Sequence, residues 1–458
     1  MRERGRRFAV QGQPLTVLEL TEEGWRLLRR SAPGIELEAA PHELRFLRRL
    51  RELGLVEMRP VAGEPPPVVS VIVPVRDRGH ELGACLRSLR ALDYPADRLE
   101  ILVVDDASAE PVAAASGVRV LRRERPGGPA AARNQGAAAA RGEVLAFLDS
   151  DCRAAEDWLR RLIPELADLD VDLAGGRVLG DRRGGWAERY EAACSSLDLG
   201  PRYGPVGAGR MVPYLVTANL VVRRAAFQAL GGFDAGLRFG EDVDLVWRAV
   251  AAGRRAVYQP AATVRHLYRP TTVAFAQTRL DYAASEALLL RRHPGATRRL
   301  RLGLGLLAAV AALLSGRPGV AAAGLAGPFL ETWGTAARLE AAGLGRRLSL
   351  SLAAGVEGTA LELAARALVR YYGAATLLVA LVWPRSRKVV AAALALAVAA
   401  PAMADWWRLR PRLSLPAFIG ARLLDDAAYQ AGVLRGCLRE RTAAPLRARV
   451  STGWRGWG

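Results

Sequence analysis

Cysteine is scarce in this chain. Only Cys85, Cys152, Cys194 and Cys437 occur in 458 residues, with no Cys-x-x-Cys pair and no histidine at ligand spacing. That excludes a disulfide framework, argues against zinc and fits a reducing compartment. Aromatic and basic residues are not interleaved as on a nucleic-acid surface, so nucleic acid is not an expected partner despite a net charge of +19. The first residues are polar and basic without an apolar core, and no cleavable signal peptide is expected. A clean apolar run of about 20 residues, the length a spanning helix needs, is missing too.

What the chain has in excess is positive charge, unevenly placed. From Arg269 to Gly458 there are 26 Lys+Arg against 10 Asp+Glu, a surplus of 16 out of the total of +19. The same region is the most apolar, with Leu302–Leu314, Val320–Leu330, Tyr371–Trp383 and Val389–Ala404 as its main runs. Gly358–Arg370 reads as an amphipathic helix with Glu362, Arg366 and Arg370 on its polar side. Residues 291–458 are therefore expected to form a helical, membrane-associated region. It would meet an anionic membrane surface through short spans, re-entrant segments or interfacial helices.

The length leaves room for two or three domains. Residues 1–64 read as a small domain of their own. Phe8–Val10 and Leu15–Leu20 are short apolar runs around Gln11-Gly12-Gln13-Pro14, a hairpin signal. Thr21 is placed to cap a helix through Trp25, Leu27 and Leu28. A second helix carries Leu44, Phe46, Leu47, Leu50 and Leu53 and stops at Gly54. Leu55–Met58 then resembles the first strand of a wing. The outline is similar to small winged-helix domains of the peptide-recognition kind, which implies recruitment of a peptide or other substrate. Gly63-Glu64-Pro65-Pro66-Pro67 reads as the linker.

Residues 65–290 alternate strand and helix, the pattern of right-handed βαβ units and a Rossmann-like α/β sheet. Strands are expected at Val68–Val75, Leu99–Val104 and Val118–Leu121. The central stretch is Glu143–Asp151, where five apolar residues, Val144–Leu148, run straight into Asp149-Ser150-Asp151. Two carboxylates at the C-terminal lip of a buried strand sit where open α/β sheets place ligands. On an extended backbone they would share a side and could hold Mg²⁺ or Mn²⁺ against a diphosphate. A plain acidic turn before the helix at Trp158 is the alternative. Asp105 and Asp106 at the second strand's lip could accept from a base N–H or cap a helix. Arg133 at a glycine-rich helix start could contact phosphate. Glu241 and Asp242 are candidates for a general base, or for helix capping.

Val69–Val75, Val103–Ser108, Ala132-Arg133-Asn134-x-Gly136, Asp149-Ser150-Asp151 and Gly231-Gly232-Phe233-Asp234 with Gly240-Glu241-Asp242-Val243-Asp244-Leu245 resemble, in order and spacing, the family 2 glycosyltransferases. The resemblance covers about residues 69–270. It implies a GT-A fold, a nucleotide-diphosphate sugar as donor, a divalent metal and inversion at the anomeric carbon. On the family's pattern Asp105 or Asp106 takes the uracil N3–H, and Asp151 is a metal ligand. Asp149 contacts ribose or metal, His266 completes the metal site, and Asp242 is the base with Glu241 orienting the acceptor. The pattern has glycine where Ala107 stands. Gln277-Thr278-Arg279-Leu280-Asp281 departs from the Gln-x-x-Arg-Trp of processive synthases, so short additions are expected rather than long polymers. With the N-terminal domain and basic tail, this implies UDP-glucose as donor and a small peptide-derived acceptor, at the cytoplasmic face of the cell membrane. The alternatives are a lipid or cell-envelope polysaccharide acceptor and a non-catalytic sugar-nucleotide sensor.

Overall fold

The computed structural model describes residues 2–451 apart from 4–5, 13–14, 31–39, 54, 57–64, 182–183, 269–270, 298, 315–316, 325 and 384–386. Two compact units are built from interleaved pieces of chain. One comprises residues 1–58, 297–407 and 443–458, the other 59–296 and 408–442.

The second unit is α/β. Its first half contains β1 (Val69–Val75), α1 (Gly79–Arg90), β2 (Leu99–Asp105), β3 (Arg119–Arg122), α2 (Gly128–Ala139), β4 (Val144–Phe147), β5 (Cys152–Ala154) and α3 (Trp158–Leu162). Then come β6 (Val171–Gly180), α4 (Trp186–Cys194), β7 (Gly204–Pro205), β8 (Leu220–Arg223), α5 (Arg224–Ala229), α6 (Glu241–Ala251), β9 (Arg255–His266) and α7 (Thr272–Arg292). A last helix, α8 (Leu415–Arg439), joins from far along the chain. The sheet has nine strands in the order β7-β9-β6-β8-β4-β1-β2-β3, with β5 on β9.

Strands β4, β1, β2 and β3 are mutually parallel, and β8 runs antiparallel between β4 and β6. Every residue of β1 is buried, as a strand covered on both faces requires. Its alternation feeds two apolar layers, Val71 and Val73 with Ala146 on one face, Ile72 with Leu145 and Phe147 on the other. The strand order reverses between β1 and β4. The crevice beyond their C-terminal ends is the place such sheets offer a ligand.

α8 lies against α7 through small residues. A Cβ on Gly432 would meet the Leu280 carbonyl oxygen at 2.3 Å, and one on Gly436 the Ala284 oxygen at 2.4 Å. The contact is sealed by buried charge. Arg279 of α7 pairs with Asp425 of α8 at 3.1 Å and with Glu191 of α4 at 3.5 Å, and the Tyr190 hydroxyl donates to Asp425 at 3.0 Å.

The first unit opens with strands Arg2–Glu3, Arg6–Gly12 and Leu15–Glu19 and helices Glu22–Arg30 and Pro41–Glu52. Thr21 caps the first helix, its hydroxyl accepting from the Gly24 N–H at 3.1 Å. Phe8, Leu27, Leu47 and Leu50 form its core. The hairpin and the two helices are where the sequence placed them, and residues 1–58 belong to one compact unit with 297–407. Of the expected wing strand, Leu55 and Val56 are not in a strand, and Glu57 and Met58 lie outside the described residues, as do Gly63 and Glu64 of the linker.

The rest of this unit is mostly helical. Arg346–Val382 (37 residues) and Arg387–Leu409 (23 residues) are long and apolar enough to cross a bilayer. The amphipathic segment Gly358–Arg370 and the run Tyr371–Trp383 do not form separate elements. With no proline between them, one helix runs through both to Val382. Arg366 pairs with Glu362 at 2.5 Å and with the buried Asp405 of the next helix at 2.7 Å, while Leu377, Leu378, Leu381 and Val382 are exposed.

Candidate active site

The lips of β1 and β2 are clasped together. The Asp77 N–H donates to Ser108 Oγ at 3.0 Å, and Asp77 Oδ1 accepts from the Ala109 N–H at 2.8 Å. Asp77 (φ 54°) and Ala107 (φ 58°) are both left-handed. Aspartate tolerates that conformation through local hydrogen bonds, whereas alanine does not. Hence the glycine that the family pattern places at 107. Ala107→Gly should raise stability by about 0.5–1 kcal/mol, the left-handed penalty less glycine's added unfolded-state entropy. A rise in the urea midpoint at unchanged slope would show it.

Asp105 and Asp106 stand at this lip, both buried. Asp105 accepts from the Ser108 N–H at 2.8 Å, the Val112 N–H at 3.2 Å and Arg122 Nη1 at 2.5 Å. Burial alone would raise its pKa, but the hydrogen bonds, led by those from Ser108, hold it below the usual carboxylate value. Asp106 accepts from the Gly127 and Gly128 N–H groups at 2.9 and 2.8 Å and pairs with Arg123 at 2.8 Å. Both carboxylates therefore brace the loops around the crevice. An ionised carboxylate has about four acceptor sites, which leaves Asp106 roughly one for a ligand.

Arg133 is 3 % exposed. Its guanidinium lies between Asp149 (Nη2–Oδ1 2.5 Å) and Glu241 (Nη1–Oε1 2.7 Å), over the Phe233 ring. Burial opposes its charge, yet Asp149 and Glu241 outweigh that and push its pKa above the ordinary arginine value. Its place is thus a bridge between the β4 lip and α6.

Asp149-Ser150-Asp151 is a turn rather than an extended segment, closed by the Cys152 N–H donating to the Asp149 oxygen at 2.9 Å. The turn sends the two carboxylates to different partners. Asp149 meets Arg133. Asp151 meets Arg78, which follows the β1 lip, and the His266 ring, its Oδ1 lying 3.5 Å from Nε2. The pairing of β9 with β5, His266 opposite Cys152, brings this histidine in. His266 Nδ1 is buried with no hydrogen-bond partner. One ligand atom each of Asp151, Cys152 and His266 lies within 4.8 Å of the others. The Cys152 thiol is raised well above its usual pKa by burial and then by Asp151.

Glu241 and Asp242 open α6 behind left-handed Gly240 (φ 82°). Asp242 Oδ1 accepts from the Val243 N–H at 2.8 Å and Oδ2 from the Thr217 N–H at 3.4 Å. Burial and the neighbouring Glu241 charge push its pKa up to about 7. Asn219 is not a cleft residue. Fully buried, it accepts from Trp158 Nε1 and donates to the Arg177 and Ala262 carbonyls. Arg248 is likewise structural, tying Asp244 to the Leu230 and Gly232 oxygens. Trp247 donates to the Pro213 oxygen at 2.8 Å and meets the edge of His293, whose Nε2 lies 2.9 Å from Asp244.

Arg78, at the crevice, carried no functional signal in the sequence; only its place just after β1 could have marked it. Ser108, the latch of the clasp, closes the stretch Val103–Ser108 that carries the resemblance, but nothing in the sequence assigns it a role of its own.

The sequence family described as Glycosyl transferase family 2 matches residues 70–231. A pre-mycofactocin glycosyltransferase of Mycobacterium tuberculosis (strain CDC 1551 / Oshkosh) is 34% identical over 436 residues, covering 88% of this chain and 87% of that one. Glycosyltransferase AglE of Haloferax volcanii is 30% identical over 214 residues, 44% of this chain and 68% of the relative. Among solved structures, a mannosyltransferase of Pyrobaculum calidifontis in complex with GDP-Man and Mn²⁺ aligns with a TM-score of 0.40 at 19% identity, over 84% of this chain and 94% of that one. The near full-length relative, the matched family and the strand order together place this chain among the family 2 glycosyltransferases.

Proposed function

We propose that the chain is a membrane-associated, metal-dependent, inverting hexosyltransferase. It moves glucose from UDP-glucose to a small peptide-derived acceptor of the pre-mycofactocin kind, adding a short β-linked oligosaccharide. The carrying observation is that Asp151 and His266, far apart in sequence, meet at the switch-point crevice with Nε2 3.5 Å from Oδ1. A buried carboxylate oxygen facing a histidine ring nitrogen suits Mg²⁺ or Mn²⁺. When bound there, the ion supplies the positive charge that a departing diphosphate needs. Asp151 and His266 would hold it, with Asp149 beside them.

The chain's own residues divide the remaining work. Asp105 or Asp106 accepts from the uracil N3–H. Arg133 holds the Asp149 turn and the start of α6 in fixed relation, and Asp242 takes the proton of the acceptor hydroxyl. One base and one displacement mean inversion. The full-length likeness to the mycobacterial enzyme supports the peptide-derived acceptor, and residues 1–64 are proposed to recruit it. The exposed apolar face of 346–382 supports a second reading, a lipid or cell-envelope acceptor. Purified protein with a panel of nucleotide sugars should release UDP from UDP-glucose, faster with the peptide-derived acceptor than with a polyprenyl lipid. The reverse preference would favour the second reading. Asp151→Asn should lose donor binding and turnover together. Full turnover in that variant, or in excess chelator, would remove the metal from the mechanism.

The membrane is tested separately. The protein should sediment with anionic vesicles at the cytoplasmic-leaflet composition, and high salt should release only part of it. Screening removes the charge attraction of residues 269–458 but not apolar insertion of 346–409. Complete release would mean a basic surface without insertion.

A further inference from the structure

We propose that Arg78 is the donor-diphosphate clamp, and that before the donor arrives it holds Asp151 Oδ2, the oxygen beside the Oδ1 that faces His266. The proposal rests on the metal reading of Asp151. Four carboxylates converge on the crevice, Asp149, Asp151, Glu241 and Asp242, and two arginines answer them. Arg133 is committed, with carboxylates on two sides and a buried side chain. Arg78 differs in each respect. Its side chain is 31 % exposed, it sits on a loop, and it meets Asp151 through one guanidinium nitrogen.

The loop aims it there. Asp77 is held by Ser108 Oγ and the Ala109 N–H in a left-handed conformation. That fixes the backbone immediately before Arg78 and directs its side chain across the reversal point, from the β1 lip to the β4 lip. A divalent cation on Asp151 repels a guanidinium from the same carboxylate. A diphosphate arriving on that cation offers oxygens that suit arginine's planar fork better than one carboxylate oxygen does. Arg78 thus exchanges Asp151 for the diphosphate. The cation binds weakly alone and tightly with nucleotide, and linkage makes the effect reciprocal.

The test is calorimetry of Mn²⁺ and of UDP, each with and without the other, on full-length wild type, Arg78→Met and Arg78→Lys. Mn²⁺ alone should bind Arg78→Met about fivefold or more tighter than wild type, because a like charge is gone from beside the site. UDP in the presence of Mn²⁺ should bind it roughly tenfold or more weaker, because the clamp is gone. Arg78→Lys keeps the charge without the fork, so it should match wild type for Mn²⁺ and lie between the two for UDP. Unchanged or weaker Mn²⁺ binding in Arg78→Met, or unchanged UDP binding, overturns the clamp and leaves the metal site standing. If Asp151→Asn binds Mn²⁺ as wild type does, the metal reading fails and the clamp fails with it.

Discussion

Asp242→Asn should slow single-turnover transfer by roughly 10²–10⁴ while leaving UDP-sugar affinity close to wild type. Asparagine keeps the size and can still accept from the Val243 and Thr217 N–H groups, but it cannot take the acceptor's proton. The donor side is assigned to other residues, so binding and chemistry separate in this variant, whereas Asp151→Asn loses both. The pH profile gives a second reading. Burial, then Glu241, raise the Asp242 pKa to about 7. A raised carboxylate pKa means the protonated, inactive form accumulates below it. The wild-type rate should therefore fall tenfold per unit below about pH 7 and level off above, and Asp242→Asn should lose that limb. A variant within about threefold of wild type would move the base to Glu241 or another group. Lost donor binding would place Asp242 on the donor side.

The largest effect on stability is expected at Arg133. Arg133→Met fills much of the same space but leaves Glu241 buried without its partner and Asp149 without its tether. Removing one member of a buried ion pair costs about 3–5 kcal/mol. Asp149 is 27 % exposed and can be hydrated, so a figure near the lower end, about 3 kcal/mol, is expected. The loss should show in urea unfolding as a lower midpoint at unchanged slope. Adding Glu241→Gln to Arg133→Met should recover a measurable part of it. A loss below about 0.5 kcal/mol, the size of an exposed pair, would mean that water reaches the bridge.

Much of this site was legible because strand ends are legible. Runs rich in β-branched and apolar residues at 69–75 and 99–104 and the apolar run at 144–148 mark covered parallel strands, and acidic residues soon after them fall at the lip. What could not be read was each carboxylate's direction. An Asp-x-Asp spacing suggests a shared face only if the backbone stays extended, and the turn at Asp149 separates the pair. Arg133 looked like a phosphate ligand because its partner Glu241 lies more than a hundred residues on, beyond any local pattern. Asn219 advertised no role, because a polar side chain in an apolar stretch reads the same whether it faces solvent or joins Trp158 to the carbonyls of β6 and β9. Helix α8 was least legible. Gly432 and Gly436 matter only for the carbonyls of α7 that pass beneath them, and an alanine-rich helix advertises no partner.

That helix also sets an order of events during synthesis. The catalytic unit is discontinuous, residues 59–296 followed by 408–442, and the helices at 346–382 and 387–409 lie between. Every candidate site residue named above has left the ribosome well before α8 does. At about 5–20 residues per second, translation holds the unit open on the order of ten seconds, with the α7 surface uncovered and Arg279 still lacking Asp425. The two long apolar helices emerge in that interval. Both therefore leave the ribosome before the catalytic unit can close, and a nascent chain released before residue 415 would carry the whole crevice without the helix that completes its fold.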